Sequence, residues 1–187
     1  MMMPTMNPED TLAEWTREFE AVRDRMRAGG THGPGHFTPA QAAGRSGLDL
    51  LKAMLAGELP YPHMAETLDF GIVSVAPGNA VFQGTPQVRH LNPMGGVHGG
   101  WYATLLDSTM GCAVQTLMPA GRGYTTAELS VNIVRGATPK TGPLRAVGTV
   151  VHCGRQLATA EGRIVGPDGK LYAHGTTTCL VFELPAG

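Results

Sequence analysis

The run from Trp101 to Leu117 constrains the fold of this 187-residue chain more than any other stretch. Nothing in it breaks a helix before Pro119, and its side chains are mostly apolar or small. Its one formal charge is Asp107. A helix that is apolar on all sides is buried in a domain, and this run is too short and too interrupted to span a membrane. We therefore expect a central helix that the rest of the domain packs around.

A glycine-rich turn leads into this helix, with the sequence NPMGGVHGG over residues 92–100. Glycines let a ligand approach backbone N–H groups closely, and the start of a helix favours negative charge. An isolated carboxylate inside a buried helix is costly, so Asp107 needs a reason to be there. The two features indicate a functional site at the start of the helix and a second functional group within it.

Composition and charge exclude several classes of protein. Hydrophobic residues make up 42% of the chain and charged residues 16%, which is typical of a globular protein. The net charge is −1 and no basic block occurs, so nucleic acid is not expected as a partner. Cys112, Cys153 and Cys179 lack CxxC spacing, which favours reduced thiols in a cytoplasmic protein. We expect no signal peptide, no membrane partner and no metal site.

The N-terminal third is predicted to be helical. Thr11 to Arg27 carries apolar residues three and four apart, which predicts an amphipathic helix packed on the domain or on a second subunit. Gly29 to Pro39 is a predicted linker, and Ser46 to Ala56 is a second helix with Ser46 as its cap. We expect residues 1–60 to form a helical extension with a linker and residues 61–187 to form the main domain.

Strand patterns surround the central helix. Two strands are predicted before it and four after it: Leu68–Val75, Asn79–Thr85, Tyr124–Arg135, Leu144–Cys153, Gln156–Val165 and Leu171–Phe182. The segments that separate the fourth, fifth and sixth of these strands are short enough for hairpins. Polar and apolar residues alternate along these strands, as in an antiparallel sheet covered on one side. This order predicts an α+β fold in which the helix lies across a curved sheet.

The residues of the turn and the helix also carry a family resemblance. The motif Asn92-Pro-x-Gly-x-x-His98-Gly99-Gly100, with Asp107 nine residues after His98, is followed by TTAELSVNI from residue 125. This pattern resembles the hotdog-fold acyl-CoA thioesterases of the phenylacetate-pathway (PaaI) type, over about residues 65 to 183. The resemblance implies an antiparallel sheet wrapped around one long helix. It also implies hydrolysis of an acyl- or aryl-acyl-CoA to free acid and CoA, without a cofactor.

Thioester hydrolysis needs a donor for the developing oxyanion and a base or nucleophile. The Gly99 N–H at the helix start is a suitable donor, and Asp107 is suitable either as a base for water or as a nucleophile. The resemblance implies that Asn92 and His98 lie near the thioester and that Thr126 hydrogen-bonds the water or the carboxylate. The sequence does not separate Thr126 from Thr125.

Substrate binding is expected at further positions along the same motifs. The resemblance implies that the residues at the end of the third strand and at the nearby hairpin lie along the pantetheine arm. The expected substrate-binding residues are Gly100, Arg135, Gly136 and Arg155, with Lys140 and Arg145 as further cations for the CoA phosphates. Strict alternation places Glu128 on the same face as Thr126.

The spacing within the helix predicts a dimer. Gly99 and Asp107 are eight residues apart, roughly 12 Å along a helix at ~1.5 Å per residue, so one helix does not bring both to one carbonyl carbon. Two copies running antiparallel about a two-fold axis do, and they form two such sites. The expected partners are thus an acyl-CoA and a second copy of the chain, as a homodimer or as a dimer of dimers.

Two other functions stay open at the level of sequence. One is a hotdog hydratase or dehydratase acting on acyl thioesters, and the other is a non-catalytic acyl-CoA binding or sensing protein. The chain also departs from its relatives at two points. Gly111 has no hydroxyl where a variant of the family places Thr, and Arg135-Gly136 stands where Arg-Pro is frequent.

Overall fold

Six antiparallel strands form one sheet, and one long helix packs against it. The computed structural model describes residues 7–28 and 33–184. The helices are α1 (Pro8–Ala28), α2 (Pro39–Ala42), α3 (Gly47–Leu55), α4 (His63–Leu68) and α5 (Gly99–Gln115). The strands are β1 (Phe70–Ala76), β2 (Asn79–Gly84), β3 (Arg122–Ile133), β4 (Leu144–Cys153), β5 (Leu157–Val165) and β6 (Leu171–Glu183). The predicted α+β class is confirmed.

Helix α5 packs closely on the sheet because its inner face is apolar and the strands beneath it carry glycine. Leu105, Leu106 and Met110 of α5 are fully buried. A Cβ atom at Gly148 of β4 would lie 2.8 Å from the carbonyl oxygen of Thr109. A Cβ atom at Gly162 of β5 would lie 2.9 Å from Met110 Cγ. Because neither glycine has a side chain, the helix approaches the strands directly.

Strand β3 lies at one edge of the sheet. The strand order is β1-β2-β4-β5-β6-β3, and β3 pairs with β6 along its whole length. The register shifts between Thr126 and Glu128, so Ala127 is a β-bulge. Within the described residues no strand pairs with the other side of β3. A twelve-residue free edge is a template for pairing with another chain.

Helices α1 to α4 are called the helical segment below. Helices α1, α3 and α4 pack against β1, and α3 also packs against α5. Phe19, Val22 and Met26 of α1 are buried, whereas Leu12 is 37% exposed. Of the apolar residues that predicted an amphipathic helix, those in the C-terminal half of α1 therefore face the domain. A Cβ atom at Gly71 of β1 would lie 3.2 Å from the Phe19 ring, so this glycine admits the aromatic side chain.

Most predicted elements are found within two or three residues of their predicted ends. Ser46 caps α3 as predicted, since its side-chain oxygen accepts a hydrogen bond from Asp49 N–H at 3.2 Å. Helices α2 and α4 were not predicted, and α2 begins at Pro39, where the predicted linker ends. Residues 29–32 of that linker lie outside the described residues. In the described part of the chain, no helix has both the length and the apolar character needed to cross a bilayer.

Candidate active site

The turn before α5 is held by Asn92. Its side-chain oxygen accepts hydrogen bonds from the backbone N–H groups of Met94 at 2.9 Å and Gly96 at 3.2 Å. Its backbone carbonyl accepts from Gly95 N–H, and Gly95 has φ of +83°, a conformation suited to glycine. The oxygen of Asn92 therefore shapes the turn, and the side-chain nitrogen is the group that Asn92 can offer to a ligand.

His98 caps the N-terminus of α5. It is the N-cap residue, and its Nδ1 accepts a hydrogen bond from Gly100 N–H at 2.9 Å. Its carbonyl accepts from Trp101 N–H. Within the described residues the Gly99 N–H has no such acceptor, so it is the free donor at the helix start. Because Nδ1 accepts, the neutral imidazole of His98 carries its proton on Nε2.

Asp107 lies two turns further along α5 and is half-buried. Thr126 Oγ1 on β3 donates a hydrogen bond to Asp107 Oδ1 at 2.9 Å. Thr126 points toward the helix because it pairs with the buried Cys179. The bulge at Ala127 then reverses the alternation, so Glu128 pairs with Thr178 on the outer face. The expectation that Glu128 shares the face of Thr126 is wrong, because alternation fails at a bulge.

The surroundings of Asp107 hold several protonated groups. Burial, reinforced by the charge of Asp107, raises the pKa of the Cys112 thiol to about 12. Burial, followed by the charges of Cys112, Cys179 and Asp107, raises the pKa of Tyr124 well above its usual value. The Tyr124 hydroxyl occupies the space that a side chain at Gly111 would need. The thiol of Cys112 and the phenol of Tyr124 therefore keep their protons near neutral pH.

A cavity of about 700 Å³ opens next to Asp107. Asp107, Ser108 and Cys112 line one wall from α5, and Tyr124 joins them from β3. These α5 residues are half-buried, so the helix is not buried on all sides as its sequence suggested. The opposite wall comes from the helical segment. The carboxylate therefore faces a space large enough for a small-molecule ligand.

The remaining predicted site residues fall at two ends of β3. Arg135 and Gly136 follow the strand beside the glycine turn, since the Ala137 carbonyl accepts from Val97 N–H at 3.2 Å. Arg155 lies at the opposite end, where its carbonyl accepts from the Arg122 guanidinium. The structure therefore gathers Asn92, His98, Gly99, Gly100, Arg135 and Gly136 in one group, and Asp107 with Thr126 in another.

Comparison with known proteins decides the family. The sequence model of the thioesterase superfamily matches residues 94–173. A solved phenylacetic acid degradation-related protein of Ralstonia eutropha is 31% identical, with a TM-score of 0.63 over 69% of this chain and 97% of that one. This chain belongs to the thioesterase superfamily. The hotdog fold and the PaaI-type relationship expected from the sequence are confirmed.

Other thioesterase-superfamily structures and sequences are similar over shorter or less complete stretches. A variant of the phenylacetic acid degradation protein PaaI of Thermus thermophilus is 29% identical, with a TM-score of 0.57 over 63% of this chain and 96% of that one. A Halobacterium salinarum protein that carries an esterase name is 37% identical over 75 residues. That match covers 39% of this chain and 48% of the relative.

The thioesterase match and the cavity do not coincide. Residues 94–173 include Gly99, Asp107 and Thr126. They leave out the helical segment, β1 and β2, although these supply most of the cavity wall. The sequence reasoning missed that wall. The apolar faces of α1 and α3 signal burial, but not that a space is left beneath them.

Arg145, one of the cations predicted to bind phosphate, makes contacts within the fold instead. The Arg145 guanidinium lies 4.7 Å from the centre of the Trp15 ring and donates to Glu18 at 2.6 Å and to Gln83 at 2.9 Å. Arg145 therefore fastens α1 to β2 and β4. Arg135 is exposed beside the glycine turn, with its guanidinium 5.8 Å from the centre of the Tyr172 ring.

Proposed function

We propose that this protein is an acyl-CoA thioesterase whose two active sites are shared between two copies of the chain. Membership of the thioesterase superfamily supports the reaction class. The observation that carries the residue assignment is the hydrogen bond from Thr126 on the edge strand to Asp107. At the start of the same helix, the Gly99 N–H finds no acceptor among the described residues.

The register of β3 supports the shared site. Ile133 lies beside Gly99, since a Cβ atom there would be 3.3 Å from Ile133 Cδ1. With the bulge at Ala127 skipped, six steps of β3 separate Thr126 from Ile133. If two β3 strands pair antiparallel about an axis at Ser130, Thr126 of one copy lies opposite Ile133 of the other. Asp107 of one chain then faces the Gly99 N–H of its mate.

The chemistry follows from these placements. The Gly99 N–H binds the thioester oxygen, and its hydrogen bond strengthens as negative charge develops there. Asp107 either takes a proton from water, whose oxygen then attacks the carbonyl carbon, or attacks that carbon itself to form an anhydride that water hydrolyses. The carbon–sulfur bond breaks and its electron pair leaves with the CoA sulfur, which takes up a proton. That proton comes from the water consumed in the reaction, and the Nε2–H of the neutral His98 is suited to donate a hydrogen bond to the departing sulfur.

The same pairing brings the cations together. Antiparallel pairing of β3 carries Arg155 of one copy toward the end of the strand where Arg135 and Gly136 of the other lie. The phosphates of CoA favour such a pair of arginines. The free thiols Cys112, Cys153 and Cys179 suit the reducing cytoplasm, where acyl-CoA is available.

Release of free thiol from acetyl-, octanoyl- and phenylacetyl-CoA tests this function. We expect Asp107→Asn to lower kcat by about a hundredfold or more, as for loss of a general base, with a small change in substrate binding. Glu161→Gln is the matched control, because it changes an exposed carboxylate of β5 that does not line the cavity, and it should keep most of the activity. A loss below about tenfold for Asp107→Asn would remove Asp107 from the mechanism. Hydration of enoyl-CoA without thiol release would favour a hydratase, and binding without turnover a non-catalytic acyl-CoA binding protein.

A further inference from the structure

The cavity beside Asp107 extends well beyond the space that the reacting carbonyl needs. Its proximal end is formed by Asp107, Ser108 and Tyr124. Its middle is lined by apolar side chains of the first two strands, Phe70, Ile72 and Phe82. A volume of about 700 Å³ lies in the upper part of the range found for small-molecule sites.

The distal wall belongs to the helical segment. Phe19 and Met26 line it from α1, and Leu51 and Met54 from α3. All four are buried, at 4–9% exposure. Ala65 of α4 also lines the cavity. The methionine side chains adapt to a flexible ligand, because an unbranched thioether repacks at little cost.

The two acids at the rim, Glu66 and Asp69, are bound by neighbouring side chains. Tyr61 donates a hydrogen bond to Glu66 at 2.7 Å, and Arg23 lies 3.7 Å from Asp69. Asp69 also accepts from Gln87 Nε2 at 3.1 Å. Since the rim acids have protein partners, the distal end offers an apolar surface to a ligand more than it offers hydrogen bonds.

We propose that the helical segment forms the distal half of the acyl pocket, so that this enzyme selects extended aliphatic acyl chains and the segment sets their length. The proposal rests on the thioesterase function proposed above. With its carbonyl carbon at Asp107, an acyl group reaches the segment only if it is long. A short acyl group occupies the proximal end alone and leaves the distal apolar wall in contact with water.

A chain-length series on paired variants tests the proposal. Wild-type kcat/KM should rise roughly fourfold per methylene from butyryl- to octanoyl-CoA, as expected for burial of apolar surface. Ala65→Phe fills the distal space, and should lower kcat/KM for dodecanoyl-CoA by about tenfold or more while acetyl-CoA changes little. Ala56→Phe is the matched control, because Ala56 is exposed and does not line the cavity. Phe19→Ala enlarges the same space and should move the preferred chain to greater length.

Equal effects of Ala65→Phe and Phe19→Ala on every chain length would overturn the proposal while leaving the hydrolase standing. A wild-type preference for phenylacetyl-CoA that Ala65→Phe does not change would overturn it as well. Calorimetric binding of butyryl and dodecanoyl thioether analogues of acyl-CoA separates the two claims. If wild type hydrolyses none of the esters but the variants still shift binding with chain length, the proposed catalytic function fails and the pocket assignment holds.

Discussion

The carboxylate of Asp107 is held in a defined orientation in an otherwise apolar helix. It is half-buried, accepts one hydrogen bond from Thr126, and faces a cavity and not packed side chains. Its contacts therefore hold it in place while leaving one oxygen for a ligand or a water molecule. A structural acid would be expected to have a cation beside it, and the ion pairs of the described residues do not include Asp107.

Thr126 should act as a positioning residue for Asp107. Thr126→Val keeps the shape of the side chain and removes the hydroxyl donor. A hydrogen bond to a charged group contributes ~1.5–3 kcal/mol, so we expect kcat to fall roughly tenfold to a hundredfold. KM should change little, because the hydroxyl donates to Asp107 and not to the substrate. Thr125→Val is the matched control, since Thr125 is exposed on the outer face. Equal kinetic effects of the two variants would contradict this role.

Cys112 should make the folded protein sensitive to alkali. The pKa of its thiol is raised from an ordinary value of 9.0 to about 12. Between these values the unfolded chain loses the proton and the folded chain keeps it, so stability falls as pH rises above about 9. We expect the melting temperature to fall less steeply with pH in Cys112→Ala than in wild type. Ser108→Ala, which removes no titrating group, should keep the wild-type slope, and an unchanged slope in Cys112→Ala would refute the account.

At the scale of elements, β3 connects the fold to the site. Its inner residue Thr126 holds Asp107, and its far end at Ile133 touches the glycine turn. Its other side is free of pairing within the described residues. One strand thus lies beside both groups of predicted site residues and also presents the edge through which, in the proposed dimer, a second copy would pair.

In the proposed dimer, the two-fold axis passes at Ser130, so Ser130 of one copy of β3 lies opposite Ser130 of the other. Ser130→Asp places two carboxylates opposite each other at the axis, and like charges across an interface weaken it. We expect the dimer Kd to rise at least about tenfold by analytical ultracentrifugation, with specific activity falling as the protein is diluted. Ser130→Ala serves as the uncharged control. A Ser130→Asp protein that stays dimeric at the wild-type Kd would exclude this register.

The sequence predicts the elements better than the contacts between them. The apolar run from Trp101 predicts α5, and the Pro-Gly and other glycine-containing turns mark where the strands end. Both signals are local in the sequence, because periodicity and turn chemistry depend on neighbouring residues. The choice between Thr125 and Thr126 depends on the bulge at Ala127, which alternation does not reveal. The cavity is non-local, since Phe19, Met54 and Asp107 are far apart in the chain. The short helix α4 has no strong apolar period, and contacts distant in sequence hold it, namely its packing against β1 and the hydrogen bond that Trp101 Nε1 donates to the Leu68 carbonyl.

At the scale of the whole molecule, the helical segment and the hotdog domain share one apolar core. Val22, Leu50 and Phe70 belong to the same buried cluster as Leu105 of α5. The helical segment also forms one wall of the cavity that begins at Asp107. Removal of the segment would open that cavity to water and expose the apolar faces of α1 and α3.

The central claim is that Asp107 of one chain and the Gly99 N–H of another act on one thioester. Gly99→Pro removes that N–H at the first position of α5, where helices accept proline. His98 already has φ of −60° and ψ of 137°, the region that a residue before proline adopts. Gly99→Ala, which keeps the N–H, is the matched control and should lose less activity.

The decisive measurement is thiol release by an equimolar mixture of the Gly99→Pro and Asp107→Asn proteins after unfolding and refolding together. Each variant alone should be nearly inactive. Random pairing makes half of the dimers hybrids with one intact site of two, so the mixture should recover about a quarter of wild-type activity. Recovery to that level would establish the shared site. A mixture that forms hybrids by mass spectrometry but stays as inactive as its components would contradict it.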